Sequence, residues 1–376
     1  MSKTVVKIAR GFYQRLAKPI FFNFNPEAVH THVVRLGEKW GSRPFFQRRA
    51  ARYFDVKDPV LRQTVNGVTF SNPIGLAAGF DYEARLTQVL PGMGFGFQSI
   101  GSITAKPCAG NPSPQLGRLP RSRSLMVNKG FRNLGIGETL KKLQGLSFAR
   151  PVGISVGRTN NSQTTSLEAS VEDIVASFKA IEVSSVPFSY YELNISCPNL
   201  GKGASFYEAK NLSLLLQRID SLRPSKPLYI KMPISQPDQV VQSILAVATQ
   251  HKVSGVIIGN VQTDRSVPSL LPEEVAKFSM GNFSGKPTQE SSDYLIDLAY
   301  RQVGQKLTII GCGGVFNAED AYRKIRRGAS LVQLITGLIY EGPQVVAEIN
   351  ADLVKLLKRD GFKNISAAVG CDTRPK

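Results

Sequence analysis

The chain has 376 residues, of which 42% are hydrophobic and 20% charged, with 33 Gly and 22 Pro. These proportions exclude collagen, coiled-coil and low-complexity proteins, and they leave room for one α/β barrel of roughly 250 residues with an extension or for two smaller domains. Four Cys without a Cys-x-x-Cys pair, together with three His, predict neither a disulfide scaffold nor a metal site.

The net charge of +19 is the first positive clue, because a strongly basic protein favours an anionic partner. The excess is concentrated in residues 1–52, which hold eleven Lys or Arg and two Glu. A nucleic acid and an anionic membrane surface both fit such a charge. We favour the membrane and predict no nucleic-acid binding, since the basic excess precedes the strand-rich part of the chain instead of forming a basic face with interleaved aromatic residues.

Residues 1–52 predict a basic helical extension. The stretch before Pro19 has the spacing of an amphipathic helix, and a second helix is predicted over residues 26–39. No apolar run reaches the ~18 residues that span a bilayer, and no apolar segment indicates a signal peptide. We expect the extension to lie on a membrane surface, with its basic side chains on anionic headgroups. A helical pair packed on the main domain is the alternative, and a transit peptide is another.

After the extension, the pattern changes to short strands. Asn66-Gly67 between apolar residues predicts a β-hairpin over residues 61–70. Eight apolar runs then alternate with amphipathic helices, which predicts a (β/α)8 TIM barrel within residues 53–376, with the hairpin at its base. The predicted strands are 73–79, 95–103, 151–157, 189–196, 227–232, 255–260, 307–313 and 330–337. The predicted helices are 82–90, 133–144, 167–183, 205–222, 237–250, 291–303, 317–327 and 341–358.

Glycine and polar residues gather where these strands end. Gly313-Gly314 follows the seventh strand and Thr336-Gly337 the eighth, which is where this fold usually binds phosphate. Lys231 ends the fifth strand and is expected to hold negative charge at the same mouth. A long insertion, residues 104–150, is expected to lie near this face.

Several segments together resemble the dihydroorotate dehydrogenase family, over about residues 26–349. The N-terminal element Pro26-Glu27-x-x-His30 is similar to that of its membrane-associated, quinone-using class. The matching barrel segments are 72–81, 110–112, 194–199, 309–314 and 328–333.

The resemblance implies an FMN-dependent enzyme that oxidises (S)-dihydroorotate to orotate in pyrimidine biosynthesis, with a quinone as oxidant. By position, the FMN-binding residues would be Ala77, Ala78, Gly79, Ser102, Ser155, Lys231, Gly285, Gly313, Gly314, Thr336 and Gly337. The substrate-binding residues would be Tyr82, Asn128, Asn194, Asn199 and Asn260. His30 and Arg118 would lie at the quinone tunnel. The class implies a peripheral membrane protein of the cytoplasmic face, or of the inner mitochondrial membrane in a eukaryote.

Two residues are predicted to be catalytic. Cys197 stands at the position of the general base, where the quinone class has Ser and the soluble class has Cys. A thiol has a pKa far nearer neutrality than a hydroxyl, so it is the easier base. A buried, inert thiol is the alternative interpretation. Lys231 would stabilise the reduced, anionic flavin.

The substrate side departs from the family pattern. Tyr82 replaces a lysine that contacts substrate and flavin in the family, and Val261 replaces a Thr or Ser. Val127 stands where the family has Asn, with Asn128 one position away; Ser155 replaces a flavin-side Asn. Losing polar partners in a buried site costs about 1–3 kcal/mol each.

Three hypotheses therefore stay open. The chain is a dihydroorotate dehydrogenase whose losses are compensated by Arg123, Lys129 or Arg132. Alternatively, it is a divergent FMN-dependent dehydrogenase or ene-reductase acting on a C–C bond of another substrate. The third hypothesis is a flavin-binding, membrane-associated protein without catalytic activity.

Overall fold

The computed structural model describes residues 3–201 and 203–373. The predicted extension, residues 1–52, and the predicted barrel domain, residues 53–376, therefore each include a few residues outside the described ranges. The strands are β1 (Gln63–Val65), β2 (Val68–Phe70), β3 (Ile74–Leu76), β4 (Phe97–Ile103), β5 (Leu116–Leu119), β6 (Ser124–Val127), β7 (Val152–Val156), β8 (Tyr190–Asn194), β9 (Leu228–Met232), β10 (Gly255–Ile258), β11 (Asn282–Gly285), β12 (Thr308–Cys312) and β13 (Leu331–Leu334). The helices are α1 (Lys3–Phe12), α2 (Lys18–Phe22), α3 (Pro26–Gly41), α4 (Pro44–Phe54), α5 (Ile136–Leu143), α6 (Leu167–Glu182), α7 (Ala209–Asp220), α8 (Asp238–Ala248), α9 (Pro272–Val275), α10 (Gln289–Val303), α11 (Ala318–Arg326), α12 (Thr336–Glu341), α13 (Val345–Arg359) and α14 (Ile365–Ala368).

The eight predicted barrel strands form a closed parallel barrel in the order β10-β12-β13-β3-β4-β7-β8-β9. The predicted (β/α)8 fold is therefore confirmed. The strands are buried along their whole length or nearly so, which is typical of parallel strands covered on both faces. Their C-terminal ends all meet at one rim, where the loops of this fold build sites.

The predicted hairpin is present as β1 and β2 and closes the base of the barrel. Asn66 adopts a φ of 48° in its turn, and its amide donates a hydrogen bond of 2.9 Å to the hydroxyl of Tyr229. Phe70 packs edge-on against Phe97, with ring centroids 5.2 Å apart. Aromatic and aliphatic side chains fill the barrel next to this hairpin, and a buried hydrogen-bonded group around Glu192 lies between them and the rim. The hairpin end of the barrel is therefore closed.

The N-terminal extension is helical, as predicted, and contains a further helix, α4. The helix predicted before Pro19 continues through it, because a π-helical turn over Tyr13–Ala17 places Pro19 in the first turn of α2. The π-helical turn accommodates the missing N–H of Pro19: the backbone N–H of Lys18 bonds to the carbonyl of Tyr13, five residues earlier, and the helix continues past the proline. The side chain of Asn25 accepts hydrogen bonds from Glu27 and Ala28 and starts α3.

The helix predicted over residues 82–90 is wrong. This segment forms turns wound around the buried carboxylate of Asp81, which accepts backbone hydrogen bonds from Arg85 and Leu86 at 2.7 and 2.9 Å. Ala84 has a φ of 53°, which a right-handed helix cannot contain. The amphipathic spacing of these residues therefore reflects their packing in a loop.

The insertion lies at the rim, as expected, but it also forms a small sheet that the sequence patterns did not predict. β5 and β6 pair as antiparallel strands, and β11 adds to β6 from more than 150 residues further along the chain. This three-stranded sheet places Leu116, Leu125 and Val127 on the wall of the cavity at the barrel mouth.

Candidate active site

One cavity joins the C-terminal ends of the barrel strands to the three-stranded sheet and to α3. It gathers most of the residues predicted as site residues from distant parts of the sequence. Those on its wall are His30, Ala77, Ala78, Gly79, Tyr82, Ser102, Asn194, Cys197, Asn199, Lys231, Asn260, Gly285, Gly313, Gly314, Thr336 and Gly337. Among the described residues, no group of three or more His, Cys, Asp or Glu could hold a metal ion.

A glycine cradle forms one end of the cavity. Gly313 and Gly314 have φ values of 110° and 69°, and a Cβ on Gly313 would lie 2.6 Å from the hydroxyl oxygen of Thr288. Within the described chain, the backbone N–H groups of these two glycines have no hydrogen-bond partner. Successive unpaired N–H groups form an anion-binding concavity, so this end suits a phosphate group.

Lys231 carries a buried positive charge into the same cavity. The residue is 5% exposed, and within the described chain its ammonium makes one hydrogen bond, of 3.4 Å, to the carbonyl of Ala78. None of the ion pairs in the described chain includes it. Burying a charge is costly without a partner, so the site favours an anionic group beside Lys231.

Cys197 lies just beyond the end of β8, between two of the predicted substrate-binding residues. Burial raises the pKa of its thiol to about 11, although the positive charges of Lys231 and Arg158 act in the opposite direction. The thiol is therefore protonated near neutral pH, and a proton transfer to it becomes easier as the pH rises.

Three of the four asparagines predicted to bind the substrate lie on the cavity wall and are held by hydrogen bonds. The amide of Asn194 donates to the hydroxyl of Ser102 at 2.8 Å, and that of Asn199 donates to the carbonyl of Val127 at 3.0 Å. The amide of Asn260 donates to the carbonyl and hydroxyl of Ser196 at 3.0 and 2.9 Å. These bonds orient the amides on the cavity wall, as positioned polar groups of a binding site require.

Tyr82 is part of a directed chain of hydrogen bonds on the cavity wall. Nε2 of His30 lies 2.9 Å from the carbonyl of Phe80, and because a carbonyl only accepts, Nε2 carries the proton. Nδ1 is then an acceptor for the Tyr82 hydroxyl at 3.5 Å. The ammonium of Lys129 in turn donates to that hydroxyl at 3.3 Å. Burial and the charge of Lys129 lower the pKa of His30 to about 4, which keeps the ring neutral.

Lys129 and Arg132, two of the three cations expected as compensations, line the cavity, although the family resemblance gives neither of them a role. The signal that could have found Lys129 is the alternation of a strand, in which every second residue faces the same side. Leu125, Val127 and Lys129 share that phase and line the cavity.

Three predicted site residues lie off the cavity wall. Asn128 has the opposite strand phase, and its amide contacts Asn111 and Met280. The hydroxyl of Ser155 lies 2.9 Å from that of Ser102, behind the wall. Arg118 donates a hydrogen bond of 2.6 Å to the carbonyl of Phe24, which ties the N-terminal extension to β5.

Comparisons with known proteins agree on one family. The family model described as dihydroorotate dehydrogenase matches residues 60–357. A dihydroorotate dehydrogenase (quinone) of Natronomonas pharaonis is 36% identical over 96% of this chain and 99% of the relative, and one of Gloeobacter violaceus is 34% identical over 95% and 98%. The crystal structure of DHODH from Eimeria tenella in complex with ferulenol superposes with a TM-score of 0.81 at 27% identity, covering 93% of this chain and 96% of that one.

Proposed function

This chain belongs to the dihydroorotate dehydrogenase family, and on that premise we propose that it oxidises dihydroorotate to orotate with a quinone as oxidant. The observation that carries this function is one cavity that holds a phosphate-type glycine cradle, an unpaired buried lysine, and a cysteine flanked by asparagines. Relatives that share 34–36% identity over nearly the whole chain carry the name of this activity.

Enzymes of this family use a flavin, and the glycine cradle and the buried Lys231 of the cavity suit its anionic groups. We assign it as FMN, because the unpaired N–H groups of Gly313 and Gly314 suit a single phosphate. When bound, the flavin would supply the acceptor for the substrate hydride and the electrons for the quinone. Ala77, Ala78, Gly79, Ser102, Gly285, Thr336 and Gly337 would hold it from the cavity wall, with Ser155 supporting Ser102.

Cys197 is the proposed general base, which takes the C5 proton of dihydroorotate as hydride leaves C6. Asn194, Asn199 and Asn260 would orient the ring by hydrogen bonds from their positioned amides. Lys231 would hold the negative charge that develops on the reduced flavin. His30, whose ring is neutral, and Arg118, which bonds to the carbonyl of Phe24, both lie where the N-terminal extension meets the barrel. This position suits the proposed quinone entrance.

The N-terminal extension is the proposed membrane contact, and the barrel, residues 53–376, is the proposed flavin domain. No helix in residues 3–201 or 203–373 is long and apolar enough to cross a membrane. Tyr13 donates to the carbonyl of Ile339 at 2.6 Å and so fixes one face of the α1–α2 segment on α12. The extension also exposes an apolar stripe with a spacing of four residues. The stripe consists of Ile8, Phe12, Leu16, Ile20 and Phe24, which are 65, 61, 50, 47 and 62% exposed.

This stripe and the surrounding basic residues support peripheral attachment to the membrane that contains the quinone, at its cytoplasmic face or, in a eukaryote, at the inner mitochondrial membrane. Apolar side chains of an interfacial helix enter the headgroup boundary, while Lys and Arg contact anionic lipid.

The function is tested by anaerobic titration of the purified protein with dihydroorotate. We expect the visible absorption band of the bound flavin to bleach at stoichiometric amounts, and a quinone to restore it. A band that dithionite bleaches and dihydroorotate leaves unchanged would contradict the function and favour a different C–C bond as the target.

The membrane contact is tested by the double variant Phe12→Ser/Leu16→Ser. Burial of each side chain contributes about 1.5–3 kcal/mol, so affinity for vesicles of phosphatidylglycerol and phosphatidylcholine is expected to fall by at least about 100-fold. Sedimentation with the vesicles measures it.

The matched control for this variant is Val183→Ser/Leu214→Ser, which removes two apolar residues exposed by 87 and 37% on the outer helical layer of the barrel. Its vesicle affinity is expected to equal that of the unchanged chain. Equal affinities of the two double variants would place the membrane contact elsewhere.

A further inference from the structure

Two positive charges face the cavity without a carboxylate partner among the described residues, and neither belongs to the flavin-binding set. Lys129 makes its one side-chain hydrogen bond in the described chain to the hydroxyl of Tyr82. The guanidinium of Arg132 makes no hydrogen bond or ion pair with any residue that the structure describes. Unpaired cations in a cavity are costly to desolvate, so they favour an anionic ligand.

The carboxylates nearest to Lys129 are engaged elsewhere. The charges of Glu27 and Glu83 raise the pKa of Lys129 without a hydrogen bond to it. The carboxylate of Glu27 accepts a hydrogen bond of 2.7 Å from the backbone of Gln115, and that of Glu83 accepts one of 2.7 Å from Arg85. Neither forms an ion pair with Lys129, so the charge of the lysine is not neutralised within the site.

Lys129 is held in place although it forms no ion pair with any described residue. Its ammonium lies 4.4 Å from the centroid of the Tyr82 ring, which is stacked on His30 at 5.3 Å. The Tyr82 hydroxyl donates its proton to Nδ1 of His30, so toward Lys129 it acts as an acceptor. This arrangement leaves the remaining ammonium protons for a ligand.

Arg123, the third cation considered as a compensation, is used elsewhere. Its guanidinium pairs with Glu341 and lies 4.3 Å from the centroid of the Phe316 ring. The cavity wall therefore includes Lys129 and Arg132 and leaves Arg123 out.

We propose that Lys129, seated on Tyr82 with Arg132 beside it, forms the subsite that binds the carboxylate of the substrate. The proposal rests on the proposed function, because dihydroorotate and orotate are carboxylates. It also explains Tyr82, which stands where the resembling family has a lysine. The ring of Tyr82 packs against the ammonium of Lys129, a residue of the insertion. Charge-assisted hydrogen bonds to a carboxylate are about twice as strong as neutral ones, and an arginine fork adds a bidentate contact.

The test compares orotate with its neutral methyl ester as ligands of the flavin-loaded protein, by isothermal titration calorimetry. Lys129→Met keeps the length of the side chain and removes its charge. We expect orotate to bind about 10- to 100-fold more weakly and the ester to bind as to the unchanged chain. Lys129→Arg is expected to restore most of the affinity for orotate. Lys141→Met, which removes an exposed charge on α5, is the matched control and should bind both ligands normally.

A pH series provides a second measurement on the unchanged chain. Burial and the charge of Arg132 lower the pKa of Lys129 to about 8, against the opposing charges of Glu27 and Glu83. The affinity for orotate should therefore fall as the pH rises through about 8, because Lys129 loses its proton. His30 is neutral throughout this range, and Tyr82 has its pKa raised by burial, so neither should mask the effect. In Lys129→Arg the fall should disappear.

Unchanged affinity of Lys129→Met for orotate would overturn the proposal, as would an equal loss for orotate and its ester, which would indicate a steric role. The proposed function is judged separately on the unchanged chain. If dihydroorotate bleaches the flavin while Lys129→Met binds orotate normally, the subsite fails and the function stands.

Discussion

Replacing Cys197 by Ala is expected to slow flavin reduction by dihydroorotate by about 10²- to 10⁴-fold while the flavin stays bound. Cys197 follows β8 on the cavity wall between Asn194 and Asn199, and its thiolate is the group that we propose as the acceptor of the substrate proton. The glycine cradle and Lys231 do not depend on its side chain, so flavin binding should be unaffected.

Anaerobic stopped-flow measurement of the flavin absorbance checks this expectation, and dithionite shows that the flavin of the variant can still be reduced. Cys108→Ala is the matched control, because Cys108 is a buried thiol that lies outside the cavity wall and contacts the carbonyl of Gly130 at 3.4 Å. Reduction of Cys197→Ala at the rate of the control would remove Cys197 as the base.

The same residue gives the reductive step a pH dependence of defined sign. Burial raises the pKa of Cys197 to about 11. At pH values below this pKa, the thiolate fraction increases about tenfold for each unit by which the pH rises. At saturating dihydroorotate, the rate of flavin reduction should therefore rise with pH across the neutral range. A rate that does not change with pH would contradict proton transfer to this thiol.

Replacing Lys231 by Met is expected to have the second largest effect, slowing flavin reduction by about 10²- to 10³-fold. Lys231 is a buried cation at the end of β9 with a single weak hydrogen bond to Ala78 within the described chain, so its charge is available to an anionic group. Removing it would leave the negative charge of the reduced flavin without the partner that we propose for it.

The reduction potential of the bound flavin separates this electrostatic role from a merely structural one. Loss of the positive charge should lower the potential, because the reduced, anionic form is destabilised relative to the oxidised form. Lys210→Met, which removes an exposed charge on α7, should leave both the potential and the rate unchanged. A Lys231→Met protein with the potential and rate of this control would contradict the assigned role.

Most of the architecture could be predicted because it depends on local patterns. Eight apolar runs separated by amphipathic helices allow few arrangements, since parallel strands need covered faces and right-handed crossovers. The turn at Asn66-Gly67 and the helix that begins at Pro26 also follow from local turn and capping chemistry. The strand ends then bring Asn194, Lys231 and Gly313 to one rim.

Local patterns failed at a loop whose buried apolar residues have the same spacing as those of an amphipathic helix. Residues 82–90 have helical spacing but wind around Asp81, whose carboxylate supplies hydrogen bonds that a helix would otherwise make. The small sheet was also missed, because β11 joins β6 from a distant part of the chain.

The sequence by itself determined the barrel, the rim at which its site lies and the family to which the chain belongs. Only the tertiary structure decided which charges face the substrate end of the cavity. Alternation along β6 and the residues after it turns Val127 and Lys129 inward and Asn128 away, and Lys129 then meets Tyr82 and His30, which lie about 50 and 100 residues earlier in the chain. Contacts across such separations depend on the packing of whole elements, which no local pattern of residues encodes.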